Sequence, residues 1–305
     1  MSAPATGAAE PLEPPEPSAA ARLAAAQDTA TMLIEVLPYV RRFFGTTVVV
    51  KYGGNAMIDP DLAARFAEDI VLLHSVGIRP VVVHGGGPQI GDLMDRLGLV
   101  PEFVDGRRVT DAETVDIVRM ALVGKVNREI VASVNRHGSY AVGLSGEDAS
   151  LIRVDQRDAR LGFVGDVREI NPTIVERLVR EELIPIIATV GVDDHGNAYN
   201  VNADTVAGAM AEALDAEKLV YLTDVAGVYD AWPDERSLIS RIDVGGMEQL
   251  IADGKISEGM IPKLESCVSA LKHGVRSAHI LDGRLPHALL LEFFTREGVG
   301  TMVRP

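Results

Sequence analysis

The chain has 305 residues, 47% hydrophobic and 24% charged, with a formal net charge of −15 and one cysteine, Cys267. The acidic balance offers no basic field to nucleic acid or an anionic membrane, and a lone cysteine allows no intrachain disulfide. No apolar run reaches membrane-spanning length and no basic-then-apolar leader is visible, so the composition points to one large or two small α/β domains in a reducing, cytoplasmic setting.

Residues 1–28 are rich in Ala, Pro and Glu and read as a disordered tail. Over 29–45, Leu33, Val36, Leu37, Val40, Phe43 and Phe44 recur at helical spacing, and Pro38 predicts a bend or a fresh start. That helix could pack on its own domain or dock on a neighbouring subunit, and periodicity leaves both open. Strands are predicted over 47–52, 80–84, 140–144, 184–189, 218–223 and 278–281, most of them short and almost wholly apolar. Helices are predicted over 59–75, 89–97, 111–137 with Gly124 as a point of fracture, 173–182, 203–214, 246–252, 259–273 and 287–294. The alternation implies a three-layer α/β/α sandwich around a mainly parallel sheet. Short β-type pieces at 151–165 and near 198–200 read as hairpins over a site.

Six clusters carry candidate chemistry. In Val48-Val49-Val50-Lys51-Tyr52-Gly53-Gly54-Asn55 a buried strand ends in a lysine and a glycine turn, which suits an anion such as phosphate. His84-Gly85-Gly86-Gly87-Pro88-Gln89-Ile90-Gly91 closes the next strand and opens a helix, whose first N–H groups attract anions. Its glycine spacing is one residue longer than the dinucleotide fingerprint, and the Walker pattern is absent. In Gly106-Arg107-Arg108-Val109-Thr110-Asp111, Thr110 or Asp111 can cap the following helix, and the arginines can grip a carboxylate or simply be solvated.

In Asn200-Val201-Asn202-Ala203-Asp204, Asn202 is a plausible N-cap, while Asp204 can serve the helix dipole, orient a lysine or approach a phosphate. Thr223-Asp224-Val225-Ala226-Gly227-Val228 leaves the carboxyl end of a strand, where open α/β sheets bind nucleotides. Gly259-Met260-Ile261-Pro262-Lys263 opens a helix with Lys263 one turn in, either toward a phosphate or on the surface. The seven histidines show no metal-ligand spacing, Cys267 reads as a packed apolar residue, and no hydrolase elbow is present.

In this order the clusters resemble the amino-acid kinase family, and within it the acetylglutamate kinase group, over roughly 29–304 and without departure at the quoted positions. The resemblance implies transfer of the γ-phosphoryl of ATP, with Mg²⁺ bridging its phosphates, onto the side-chain carboxylate of N-acetyl-L-glutamate. It implies that Lys51 and Lys263 stabilise the transition state, that Asp204 orients both, and that Gly53, Gly54 and the second glycine cluster offer N–H groups. Gly86, Gly87, Arg108 and Asn200 match acetylglutamate contacts; Thr223, Asp224, Val225, Gly227, Val228, Gly259 and Met260 match the nucleotide side, and no protein metal site is implied.

A kinase domain over 46–305 follows from the same resemblance, with an acetylglutamate-binding N-lobe and an ATP-binding C-lobe. The helix before it resembles the one that interlaces dimers into hexamers in arginine-inhibited members. Tyr39, Lys218, His279, Glu292 and Gly298 match their arginine site. Two alternatives stand beside this reading. One is a same-fold kinase for carbamate, aspartate or uridine monophosphate; the other is a non-catalytic arginine-sensing module, against which joint retention of Lys51, Asp204 and Lys263 speaks.

Overall fold

The computed structural model describes residues 18–104, 106–256, 259–296 and 298–305. The first helix, α1 (Ala19–Phe43), begins within the expected disordered tail and continues through Pro38. This corrects the boundary at 28: Ala19, Ala20 and Ala21 open the helix behind the N-cap Ser18, whose hydroxyl accepts from the Ala21 N–H at 3.2 Å. Residues 1–17 lie outside the described residues. Pro38 withholds an N–H from the carbonyl of Ile34, but Ile34 is exposed, so water can satisfy that oxygen.

Along the chain follow β1 (Thr47–Tyr52), α2 (Pro60–Ser75), β2 (Arg79–His84), α3 (Gly87–Arg96), the short pair β3 (Phe103–Val104) and β4 (Arg107–Arg108), and α4 (Ala112–Arg119). The chain continues through the π-helical segment Met120–Val126 into α5 (Asn127–Asn135), β5 (Ala141–Ser145), β6 (Ile152–Gln156), β7 (Val164–Ile170), α6 (Thr173–Arg180) and β8 (Ile184–Ala188). Then come β9 (Val190–Val192), β10 (Ala198–Val201), α7 (Ala203–Ala213), β11 (Lys218–Thr223), β12 (Arg241–Asp243), α8 (Val244–Ala252), α9 (Ile261–Lys272), β13 (Ala278–Asp282), α10 (Ala288–Phe294) and β14 (Thr301–Arg304). Gly124 does not break its helix; the helix widens there into a π turn.

Eight strands form one sheet in the order β12-β14-β13-β11-β1-β2-β8-β5, parallel except where β14 runs against β13. Alternation within the strands separates two cores. Val49, Val81, Leu219, Tyr221 and Ile280 face α7 and α9; Val48, Val50, Val82, Val220 and Leu222 face the side of Phe66, Ile70 and Phe293. Lys51 shares the parity of Val49, so its side chain leaves the sheet toward α7. The pieces expected as hairpins close instead into a small barrel, β10-β7-β6-β9. From β1 the chain order runs one way to β2, β8 and β5 and the other way to β11 and β13. The crevice beyond the carboxyl ends of β1 and β11 is therefore the sheet's topological switch point.

Candidate active site

Three residues from three elements meet at that crevice. Lys51 is the penultimate residue of β1, opposite Tyr221 in the register of β11. Asp204 sits in the first turn of α7, where the Asn202 side chain caps the helix by accepting from the N–H groups of Asp204 (2.8 Å) and Thr205 (3.2 Å). Lys263 lies in the first turn of α9. Its ammonium donates to Asp204 Oδ2 at 2.9 Å and stands 5.3 Å from the Tyr221 ring centre. Lys51 Nζ approaches Asp204 Oδ1 at 3.1 Å, as an ion pair whose angle falls short of a hydrogen bond.

The electrostatics follow from burial and charge. Burial opposes ionisation of Asp204, but the charges of Lys51 and Lys263 outweigh it and hold the carboxyl below its ordinary range. Burial lowers the Lys263 ammonium, with the Lys51 charge acting in the same sense and Asp204 resisting. Two cations share one carboxylate, which leaves the trio one positive charge in excess, the sign an incoming phosphoryl group requires.

The glycines border this trio. Gly53 lies against the Lys51 side chain. Gly54 has φ +73°, and a Cβ there would stand 2.7 Å from Asp224 Oδ1, so both backbone and space require glycine. Gly85 meets the start of α7 at Ala203, and Gly86 and Gly87 open α3, so the N-termini of α3 and α7 converge on the crevice. Arg108 in β4 lies over this opening, donating to the Gly87 carbonyl at 3.3 Å with its guanidinium 4.9 Å from the Phe103 ring centre. Burial lowers its pKa. Asn200 in β10 donates to Thr110 Oγ1 at 3.4 Å, and that hydroxyl donates to the Arg108 carbonyl, so both candidate substrate contacts hang on one short chain of bonds. Asp111, not Thr110, caps α4, accepting from the Thr114 N–H at 2.8 Å.

On the other side of the switch point, Val225, Gly227, Val228 and Met260 line a cavity of about 450 Å³ with Tyr229, Trp232, Lys255 and Ile256. Its apolar wall and few polar groups suit a nucleoside. Thr223 ends β11 at the carboxyl end of the sheet, and Gly259 precedes Met260 in the turn before α9. Tyr229 directly follows the predicted cluster, whereas Trp232, Lys255 and Ile256 escaped the sequence reading: they lie on loops of no regular period, and only the lone tryptophan gives any signal.

The five residues Tyr39, Lys218, His279, Glu292 and Gly298 are brought together far from the trio, at the opposite end of β11. They line one cavity of about 440 Å³. Glu292 Oε1 is 2.6 Å from His279 Nδ1, and its Oε2 accepts from the Val299 N–H at 3.1 Å. Lys218 Nζ sits 4.8 Å from the Phe43 ring centre and 4.6 Å from that of Phe293. Burial pushes this ammonium down to about 8, with the Glu292 charge opposing. Cys267 is fully buried in α9, and burial raises its thiol, so it packs as an apolar residue.

Residues 46–282 match the model of the amino acid kinase family. The acetylglutamate kinase of Saccharopolyspora erythraea is 53% identical over 93% of this chain and 95% of its own length. That of Acidothermus cellulolyticus is 52% identical over 93% and 99%. Among solved structures, N-acetylglutamate synthase from Neisseria gonorrhoeae superposes with a TM-score of 0.79 at 27% identity in its complex with coenzyme A and N-acetyl-glutamate. Its complex with coenzyme A and L-arginine gives 0.78 at 26%. The chain is 90% covered in the first superposition but spans only 63% of that longer protein. The order and spacing of the clusters, the switch-point trio and these matches agree: the chain belongs to the amino acid kinase family.

Proposed function

We propose that the protein phosphorylates the side-chain carboxylate of N-acetyl-L-glutamate with ATP, giving N-acetyl-L-glutamyl 5-phosphate and ADP, the second step of arginine biosynthesis. The acceptor is ionised at neutral pH, so no general base is needed. A carboxylate oxygen forms the new bond to the γ-phosphorus as the bond from the γ-phosphorus to the β–γ bridging oxygen breaks, and that oxygen leaves with ADP. What remains for the protein is placement and charge neutralisation. Lys51 takes the acceptor side and Lys263 the donor side of the moving group, with Asp204 orienting both. Gly53, Gly54, Gly86 and Gly87 supply N–H groups, Arg108 holds the α-carboxylate and Asn200 the rest of the amino acid. Thr223, Asp224, Val225, Gly227, Val228, Gly259 and Met260 border the nucleotide.

The observation carrying this reading is one carboxylate, Asp204, held between two lysines at the switch point. Among the described residues no group of three His, Cys, Asp or Glu side chains could hold a metal ion. In this reading Mg²⁺ would be supplied together with ATP and would neutralise charge on its phosphates. It also divides residues 46–305 into an acetylglutamate-binding N-lobe and an ATP-binding C-lobe. Release of ADP that depends on N-acetylglutamate tests the activity. Turnover with carbamate, aspartate or uridine monophosphate in its place, or none at all, would overturn it.

The proposal extends to feedback inhibition by L-arginine, acting in a cytoplasmic hexamer built from three dimers. A carboxylate such as Glu292 suits a guanidinium, Lys218 suits an α-carboxylate, and the synthase related to this chain has been solved with L-arginine. Leu33, Ile34 and Leu37 on α1 are exposed, as residues covered by a neighbouring subunit would be. Phe43 is buried against Phe293, so truncation past it would open the core. Leu33→Asp with Ile34→Asp is the cleaner test: light scattering should report dimers. Hexamers that survive both substitutions would remove α1 from the assembly.

A further inference from the structure

His84 closes β2 fully buried, and the reaction above gives it no task. Its protonation state can be read from its neighbours. Asn127 Nδ2 lies 2.8 Å from the Ile186 carbonyl and 3.4 Å from that of Leu144. Carbonyls only accept, so the amide nitrogen of Asn127 must face them. The same nitrogen lies 3.0 Å from His84 Nε2, so Nε2 accepts and the ring carries its proton on Nδ1. Nδ1 then donates to the Gly85 carbonyl at 2.9 Å. Asn127 Oδ1 accepts in turn from Arg128. A second ring proton would set Nε2–H against the Asn127 N–H, and burial independently pushes His84 down to about 4.

The carbonyl of Gly85 and the N–H of Gly86 belong to one trans peptide unit and point in opposite directions. Drawing that carbonyl onto the buried imidazole turns the Gly86 N–H away from the core, toward the crevice at the carboxyl end of β2. The unit is also clamped sterically: a Cβ on Gly86 would stand 2.6 Å from Leu122 Cδ2 and 3.3 Å from Val126 Cγ2. Leu122 and Val126 belong to the π-helical segment, and Asn127 is the residue that follows it. One irregular helical turn thus supplies both the clamp on Gly86 and the hydrogen bond that fixes His84.

We propose that His84 is a positioning residue for phosphoryl transfer, held as its Nδ1–H tautomer by Asn127 so that the Gly86 N–H is aimed before substrate arrives. This rests on the reading of Gly86 as a donor to the bound substrates. The test compares His84→Asn, whose amide nitrogen falls where Nδ1 was, with His84→Gln, whose amide falls where Nε2 was. With folding checked by thermal unfolding, the Asn variant should keep kcat within about threefold. The Gln variant should lose about 30- to 100-fold in kcat with KM for ATP little changed, the scale of one misdirected donor. Equal kcat in the two variants, whether high or low, would overturn the proposal. Nitrogen-15 NMR of the wild-type histidine rings needs no variant to fold: a neutral Nδ1–H tautomer at pH 6 supports it, and an Nε2–H tautomer or a charged ring overturns it. A wild-type protein without acetylglutamate-dependent turnover would sink the functional reading, while the ring measurement would still report on His84.

Discussion

Lysines gather at both ends of strand β11, and the two ends hold them in opposite ways. At its carboxyl end, Lys51 from the neighbouring strand and Lys263 from α9 share the carboxylate of Asp204. At its amino end, Lys218 lies between two aromatic rings, with Glu292 engaged by His279 and the Val299 N–H. A carboxylate in contact opposes the cost of burying an ammonium; ring faces do so far less, which is why Lys218 falls to about 8. At the first site the charges of the two lysines outweigh burial and hold the Asp204 carboxyl below its ordinary range. The second can change charge within the range of ordinary buffers.

Breaking the trio should have the largest effect. Lys51→Ala or Lys263→Ala should each cut kcat by about 10²–10³-fold in the ADP-release assay, with the circular dichroism spectrum retained. If either variant keeps wild-type kcat, that lysine does not face the transferred group. At the other end, Glu292→Gln keeps an acceptor for the Val299 N–H but removes the charge offered to a guanidinium. The arginine concentration giving half inhibition should rise by about 10- to 100-fold; an unchanged value would place arginine elsewhere.

The two lysine environments also predict different responses to pH. Lys218 has a folded pKa below its ordinary value of 10.5. Between about 8 and 10.5 the folded chain has lost a proton the unfolded chain still holds, so this group's contribution to stability rises with pH there. Below about 8 the ammonium is charged and can meet the carboxylate of arginine. Inhibition should therefore weaken by about tenfold from pH 7 to pH 9, the loss of cation one unit above that pKa. An inhibition constant independent of pH over this range would detach Lys218 from the effector.

The same contrast marks what the sequence could reveal. The central strands are apolar runs buried on both faces, so β1 and β11 were readable to the residue. The trio was readable because each member adjoins a glycine turn or a helix cap: Lys51 precedes Gly53, Asp204 follows the cap Asn202, and Lys263 follows Gly259. The two strands beyond β13 were not: Arg241–Asp243 is polar and three residues long, and Thr301–Arg304 pairs antiparallel with β13. The barrel was seen only as fragments, because closure depends on contacts such as Gly191 against Val154 that no local pattern announces. Phe43 and Phe293, which flank Lys218, looked like any aromatic residues on an apolar helical face. The role of His84 was hidden for a related reason: its tautomer depends on a carbonyl of β8, about a hundred residues away in sequence.

The smallest effect separates charge from placement within the trio itself. Asn202 caps α7 two residues before Asp204. Asn202→Ala should remove about 1 kcal/mol of stability and lower the unfolding midpoint by about 2–4 °C. Asn202→Asp caps equally well, so its midpoint should stay near wild type, but it adds a negative charge beside a centre that works through an excess of positive charge. If the trio acts through that excess, the Asp variant should lose kcat while the Ala variant loses mainly stability. If the cap matters by holding Asp204 in place, the order reverses: the Ala variant becomes the slower enzyme, and geometry rather than net charge limits this end of the sheet.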